Sequence, residues 1–382
     1  MMRFSDLRGN GELVRSLTGM VDGNKVPHAV MIYENEGCGA LPLVLAWLQY
    51  MHCGHPSGGD SCGECPSCRK FSKLIHSDLH FVFPTNTGTK SGNMDSKDIS
   101  SDFYLRDFRD LTLRNPYFLE QELQDALGID RKECDISLLD AKRIQQKIML
   151  SPVEDGWKMV VMLQPEKMNT VTANKLLKSL EEPPEKTIFV LITHNPEKVL
   201  QTISSRCRNL RMCPLSREEV REVLTGRFSV EKAEAEKLAA TCGGSVGVAL
   251  SQVGGNEGRE AFMNIFGDLL QAVADRDLLS ALETAEFAAA LESREKQKQL
   301  LAFIADGLRK LFLVQQGMEN ISYADSDELD FYRRMSGRIS RRFSRLILQH
   351  LDRASMLLSR NVSQKMIFAD LASRMVACNS AK

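Results

Sequence analysis

Four short apolar runs mark the first half of the chain: AVMIY (29–33), LHFVF (79–83), MVVML (159–163) and IFVLI (188–192). They are rich in β-branched and aromatic residues and lack polar alternation, which predicts parallel strands buried on both faces. Between the last two, Ala173, Leu176, Leu177 and Leu180 recur at helical spacing, and Pro183-Pro184 ends the pattern where a helix cannot continue. Strand, helix, strand is the α/β unit. Residues 1–213 are therefore expected to fold as a doubly wound parallel sheet with helices on both faces.

Residues 86–134 interrupt that pattern with a polar start, TNTGTKSGNMDSKDISS, followed by a stretch holding Phe103, Tyr104, Phe108, Tyr117 and Phe118. This reads as an insertion with a loose loop, a helical second half and a small local core. After Pro214 the strand signals vanish. Breaks at Gly243-Gly244 and at 253–258 divide the helical remainder into a small domain, 214–253, and a larger one, 256–382. In the larger one Arg334, Arg338, Arg341 and Arg345 recur at three- and four-residue spacing, with Arg333 and Arg342 nearby. Such a stripe on one helix face could meet phosphate, although a solvated or salt-bridged face is the commoner reason for it.

Composition narrows the class. The chain has 382 residues, 49 Lys+Arg against 50 Asp+Glu, and a formal charge of -1. No global field draws it to phosphate or acidic lipid. With 43% hydrophobic and 26% charged residues it is neither disordered nor collagen-like. The beginning, MMRFSDLRGNGEL, has no apolar signal segment, and no run approaches ~18 apolar residues, so a cytoplasmic location is expected. The seven histidines show no recurring spacing with a nucleophile, so no hydrolytic triad stands out.

Ten cysteines in a reducing compartment ask for metal or catalytic chemistry rather than disulfides. Cys53, Cys62, Cys65 and Cys68 are spaced C-x8-C-x2-C-x2-C among Gly54, Gly58, Gly59 and Gly63. Four thiolates at Zn–S distances of ~2.3 Å make a closed structural zinc site with no open position for catalysis. His52 and His55 could compete as ligands, but Cys53 is better spaced.

The turn after the first strand reads Glu34-Asn35-Glu36-Gly37-Cys38-Gly39-Ala40-Leu41, where a phosphate loop GxxxxGK[ST] would stand. Glu34 occupies the first glycine position and Gly39 the second, while Ala40 replaces the lysine and Leu41 the hydroxyl. At the end of the third run, where acidic residues would hold Mg²⁺ and orient water, the chain reads Leu163-Gln164-Pro165-Glu166. These residues alone also fit an α/β domain that never bound nucleotide.

Taken in order, Lys25-Val26-Pro27-His28-Ala29, the cysteine module, the segment ANKLLKSLEEPP (173–184) and Thr202-Ile203-Ser204-Ser205-Arg206-Cys207 resemble bacterial clamp-loader subunits from residue 5 to about 250. The resemblance implies an AAA+ module of P-loop type carrying a zinc module (53–68) and the insertion. A small helical lid and a C-terminal all-α collar for oligomerisation follow. It also implies partners: gamma/tau and delta subunits in a hetero-pentamer that places a sliding clamp on primed DNA. Motor subunits carry a complete phosphate loop, an acidic strand end and an arginine in a GSPGRAL segment. Here that arginine is Val248 within Gly244-Ser245-Val246-Gly247-Val248-Ala249-Leu250. The chain is thus similar to the delta-prime family of DNA polymerase III, which lacks ATP hydrolysis and keeps the SRC arginine and the zinc module.

That resemblance implies an accessory subunit of the polymerase holoenzyme that is no enzyme by itself. It binds structural Zn²⁺, holds no ATP, and supplies Arg206 in trans to a neighbour's γ-phosphate. Ser205 and Cys207 are expected as packing and turn residues, and Thr193 and Asn195 match the family's first sensor segment. An arginine supplied by a neighbour can be worth ~10³-fold or more in phosphoryl transfer. Two other readings remain: an active gamma/tau-type ATPase, and a zinc-stabilised scaffold of another complex.

Overall fold

The computed structural model describes residues 3–380 apart from 89, 92–93, 96–97, 130–133, 155, 254–255, 292–293, 323, 325 and 361. Part of the polar start of the insertion, and 254–255 within the expected glycine break, lie outside the described residues. The chain divides into two compact units, Met1–Ala239 with Gly243–Leu250, and Ala240–Cys242 with Ser251–Lys382.

The first unit is built on β1 (Ala29–Tyr33), β2 (Leu79–Val82), β3 (Lys158–Leu163), β4 (Thr187–Thr193) and β5 (Arg208–Arg211). All pairings are parallel, in the order β2-β3-β4-β1-β5, with Val30 opposite both Val190 and Arg208. Every residue of β3 and β4 is buried. Such strands face helices on both sides and so read as unbroken apolar runs. Successive residues belong to opposite cores: Val30, Ile32, Val161 and Val190 pack into one, Ala29, Met31, Val160 and Phe189 into the other. β5 has no such run. Its RNLR sequence is mostly exposed and pairs only with β1, as an edge strand dressed with charge.

One face carries α1 (Gly11–Asp22) and α2 (Ala40–Met51), which is buried from Ala40 to Tyr50 and holds Trp47 by an indole N–H to Leu17 O at 3.0 Å. α3 (Pro66–Phe71) follows in the cysteine module, and α4 (Leu105–Arg114) and α5 (Glu120–Leu127) in the insertion. The other face carries α6 (Leu138–Met149) and α7 (Thr170–Glu181), whose Ile144, Ile148, Ala173, Leu176 and Leu180 reach the sheet. α8 (Gln201–Ser204) precedes β5, and α9 (Arg217–Phe228), α10 (Lys232–Thr241) and α11 (Val246–Ser251) follow it.

The insertion does not keep a core of its own. Tyr104 and Phe108 are fully buried in the main core, and the Phe108 ring stacks on Phe83 with centroids 4.5 Å apart. Bridges between Thr85 and Asp135 and between Gly88 and Ile129 close its base. Phe103 is exposed.

The second unit contains α12 (Asn256–Asp275), α13 (Leu278–Ala289), α14 (Arg294–Gln315), α15 (Ser326–Ser336), α16 (Phe343–Ser359) and α17 (Gln364–Ser380) around Phe266, Leu308, Phe343, Ile347 and Phe368. Gly307 lets α14 close on Phe266: a methyl group there would lie 2.4 Å from the ring. The arginine stripe is not one helix face. It is divided between the end of α15, the turn after it and the start of α16, because Gly337 to Arg342 are not helical. No described helix is long and apolar enough to cross a membrane.

Because Phe108 bridges the insertion and the sheet, Phe108→Ala is expected to cost about 3–5 kcal/mol. Urea unfolding of the whole chain checks this, and a loss under about 1 kcal/mol would mean the insertion folds apart from the sheet.

Candidate functional site

β1 runs into α2 through a loop whose Gly37 and Gly39 have φ of +75° and +116°, conformations that only glycine adopts without strain. The first amides of a helix have no intrahelical partner and make a ready anion site. Here the chain supplies the group itself. Glu34 Oε2 accepts the Ala40 N–H at 2.7 Å. Burial pushes the Glu34 carboxyl up to about 8, winning over the lowering effect of the Ala40 and Gly39 amides. Ala40 and Leu41 are part of the hydrophobic core, so neither position offers a polar group to a phosphate.

Two further segments cover this loop. A methyl group on Gly39 would meet the Tyr117 ring at 2.8 Å, and one on Gly37 would meet Ser245 Oγ at 2.7 Å. Ser245 Oγ donates to Glu36 O at 2.7 Å, Gly247 N–H donates to Gly37 O at 3.0 Å, and Glu120 N–H donates to Glu36 Oε1. What remains is a small cleft, open to solvent, lined by Glu34, Tyr117, Phe118, Glu120, Gln164 and His194, among others. Its acidic groups are engaged: Glu120 pairs with Lys167 and accepts from Gln164 Nε2 at 3.1 Å. Thr193 is buried, donates to Glu166 Oε2 at 2.8 Å and accepts the Asn195 N–H at 3.0 Å. The Val248 N–H donates to Ser245 Oγ at 3.1 Å.

Arg206 stands on the other side of the sheet, just past α8, where Ser205 is the exposed C-cap. Its Nε donates to Glu181 Oε1 at 2.7 Å, Nη2 donates to the same oxygen, and Nη1 donates to Thr202 O at 2.7 Å. Nη1 also donates to Ser205 Oγ at 3.5 Å, so the guanidinium is held on two sides and one of its five N–H donors, on Nη2, is left for another acceptor. Glu181 is the last residue of α7 and 45% exposed. An ion pair this exposed adds little stability, so its effect is orientation. Cys207 packs beside the core, and burial pushes its thiol up to about 11, far from a reactive thiolate.

The four cysteines converge, with their Sγ atoms all within 4.8 Å of one another and Cys62 and Cys68 4.0 Å apart. A tetrahedral zinc with ~2.3 Å bonds needs sulfur separations of about 3.8 Å, close to what the fold provides. Backbone amides aim at the sulfurs: Cys62 N–H to Cys53 at 3.1 Å, Cys65 N–H to Cys62 at 3.4 Å, Cys68 N–H to Cys65 at 3.4 Å. The Glu64 and Cys65 amides hold the Cys62 thiol down at about 6, whereas burial pushes Cys53 and Cys68 up. A divalent cation resolves that conflict by stabilising every thiolate at once. His52 is no ligand. Its ring is held by Leu48 O and by the backbone of Trp157, and His55 lies outside the cluster. Asp60 accepts the N–H groups of Phe4 and Ser5 at 3.1 and 2.9 Å, tying the module to the chain's start.

Sequence reasoning missed three participants. Glu181 was visible only as part of a motif, Tyr117 only as an aromatic of the insertion, and Glu120 not at all. Each acts across 25 or more residues of chain, as in the pairs Glu181–Arg206 and Glu120–Lys167, and no local pattern reports such contacts.

Residues 9–216 match the family model described as DNA polymerase III, delta subunit. Against the DNA polymerase III subunit delta' of Pseudomonas aeruginosa the chain is 30% identical over 221 residues, 57% of this chain and 53% of that protein. Against the subunit delta' of Haemophilus influenzae it is 27% identical over 284 residues, 74% and 71% respectively. It also aligns with the subunit tau/gamma of Haemophilus influenzae, at 23% identity over 290 residues, 73% of this chain and 35% of that protein. The chain spans about half the length of the Pseudomonas relative.

Two outcomes follow from this geometry. Purified protein is expected to carry about one zinc per chain by elemental analysis, and Cys68→Ser to lose it; a fully folded, metal-free preparation would refute the site. Because the folded-state value of Glu34 lies above its ordinary 4.5, the protonated form favours folding. Its contribution is fully present below about 4.5 and is lost as pH rises through about 8. Glu34→Gln should therefore gain melting temperature over wild type at pH 8 and lose that advantage near pH 5. Parallel pH profiles would show that Glu34 is not buried as described.

Proposed function

The chain belongs to the DNA polymerase III delta-subunit family, and on that premise we propose that it is a clamp-loader subunit of the delta-prime type, one that turns over no nucleotide and presents Arg206 to a neighbouring ATPase. The observation that carries this reading is the Glu34 carboxyl on the Ala40 amide. A phosphate would need that same amide, and would have to displace a buried acid as well as the Tyr117 and Ser245 contacts. The active gamma/tau-type reading has no lysine, no hydroxyl and no free acidic strand end to work with.

The finger reading rests on position and on the hydrogen-bond inventory of Arg206. In transfer of a γ-phosphoryl group, charge spreads over the equatorial oxygens, and an arginine fork fixed beforehand stabilises it without reorganising. Glu181 and Thr202 O provide the fixing. Glu181 is thus a positioning residue, and Arg206 the group that would touch the neighbour's nucleotide.

With this reading go the remaining assignments. Residues 1–213 form the RecA-like domain, 214–253 the lid and 256–382 the collar. Cys53, Cys62, Cys65 and Cys68 hold a structural zinc. The partners are gamma/tau and delta subunits in a pentamer acting on a sliding clamp and primed DNA in the cytoplasm.

Reconstitution with motor and delta-type subunits tests the proposal. Arg206→Ala should leave assembly intact and lower DNA- and clamp-stimulated phosphate release by ~10³-fold at the site it serves. Glu181→Gln should lower kcat roughly tenfold with KM for ATP unchanged. Unaltered turnover in Arg206→Ala would overturn the finger. Micromolar ATP binding to the chain alone, measured by calorimetry, would overturn the non-hydrolysing assignment.

A further inference from the structure

The division of the arginine stripe between two helices has its own chemistry. From 331 to 351 the sequence is FYRRMSGRISRRFSRLILQHL, with six arginines, no lysine and no acidic residue, in a chain whose formal charge is -1. Tyr332, Met335, Ile339, Phe343 and Ile347 are buried in the core of the second unit. Those anchors turn the arginines outward, and Arg333, Arg334, Arg338, Arg341, Arg342 and Arg345 are all exposed.

The turn is fixed rather than loose. Ser340 N–H donates to Asn379 Oδ1 at 3.0 Å, and Asn379 Nδ2 donates to Val273 O at 3.1 Å, pinning the turn to α17 and α12. Two of the arginines have acidic partners: Arg333 pairs with Glu319 at 2.6 Å and Arg338 with Asp275 at 2.5 Å. Among the described residues Arg334, Arg341, Arg342 and Arg345 form no ion pair. Arg342 and Arg345 also sit at the N-cap and in the first turn of α16, where the helix dipole disfavours cations. Packing holds this charge together against its own repulsion.

We propose that this turn is a binding site for the phosphodiester backbone of nucleic acid. Between 333 and 345 every apolar residue is buried, and what reaches solvent is arginine, serine and glycine, with Leu346 and Leu348 exposed only beyond it on α16. A protein partner would want an apolar centre to its contact, and the turn itself offers none. Phosphates are bound by charge and by the bidentate guanidinium fork, and the exclusive use of arginine over lysine fits that geometry. Such contacts carry no base sequence, so the site grips any nucleic acid of suitable reach.

The whole chain, without partners, is titrated against a fluorescent 30-base-pair duplex and read by anisotropy. If the four unpaired arginines each neutralise one phosphate, binding weakens about 150-fold between 50 and 200 mM salt, from a slope of roughly -0.9 per contact. The triple variant Arg341→Ser, Arg342→Ser, Arg345→Ser should flatten that slope to about -0.9. The matching triple lysine variant should keep the slope and lose part of the affinity, while Arg217→Ser with Arg221→Ser in the first unit should change neither. The proposal is overturned by no binding at 50 mM salt, by an unaltered slope in the serine variant, or by polyglutamate competing as well as DNA, the mark of an acidic protein partner. None of these readouts involves a neighbour's ATPase, so they stand or fall apart from the role of Arg206.

Discussion

The contact between the Glu34 carboxyl and the Ala40 amide is the constraint around which the loop between β1 and α2 is arranged. A parallel sheet delivers its strand ends and helix starts to one rim, and the unsatisfied amides there demand an acceptor. Most uses of such a rim leave the acceptor to a ligand. In this chain a side chain six residues upstream meets the demand, and the segments around Tyr117 and Ser245 then close over the loop that the acid has quieted. Burial of the acid raises its proton affinity and leaves it compatible with a core that holds Ala40 and Leu41.

Much of this was legible in the amino-acid order. Strands buried on both faces announced themselves as unbroken apolar runs, and their observed bounds differ from those runs by a residue or so: Lys158–Leu163 where 159–163 was expected. The cysteine spacing led to a convergent cluster, because two-residue gaps fold into turns whose amides face the preceding sulfur. Arg208–Arg211 was not legible as a strand, since an edge strand with one neighbour has no buried face to imprint on its residues. The hold of Glu181 on Arg206 was not legible either, being a contact between the ends of separate helices. The arginine periodicity suggested one helix face; six non-helical residues from Gly337 to Arg342 broke it in two.

The charge distribution sharpens what a formal charge of -1 conveys. Acidic and basic residues are nearly equal in number, yet they are not mixed evenly. Beside the loop that follows β1 lie Glu36 and Glu120, whereas the turn between α15 and α16 carries arginines and no acidic residue of its own, Glu319 and Asp275 reaching two of them from other segments. A sum over the chain cancels precisely the local differences that set which surface attracts an anion and which repels one.

The cover over the Glu34 loop also bears on what a substitution there would meet. A lysine placed at Ala40 would meet an acid already seated on the helix, a tyrosine ring against Gly39 and a serine against Glu36. Each neighbour makes the others harder to replace singly, because removing one leaves a cavity or an orphaned polar group. The acid, the ring and the hydroxyl therefore act as one cooperative unit. Opening this loop would mean changing several distant segments together, so its closed form resists any one substitution.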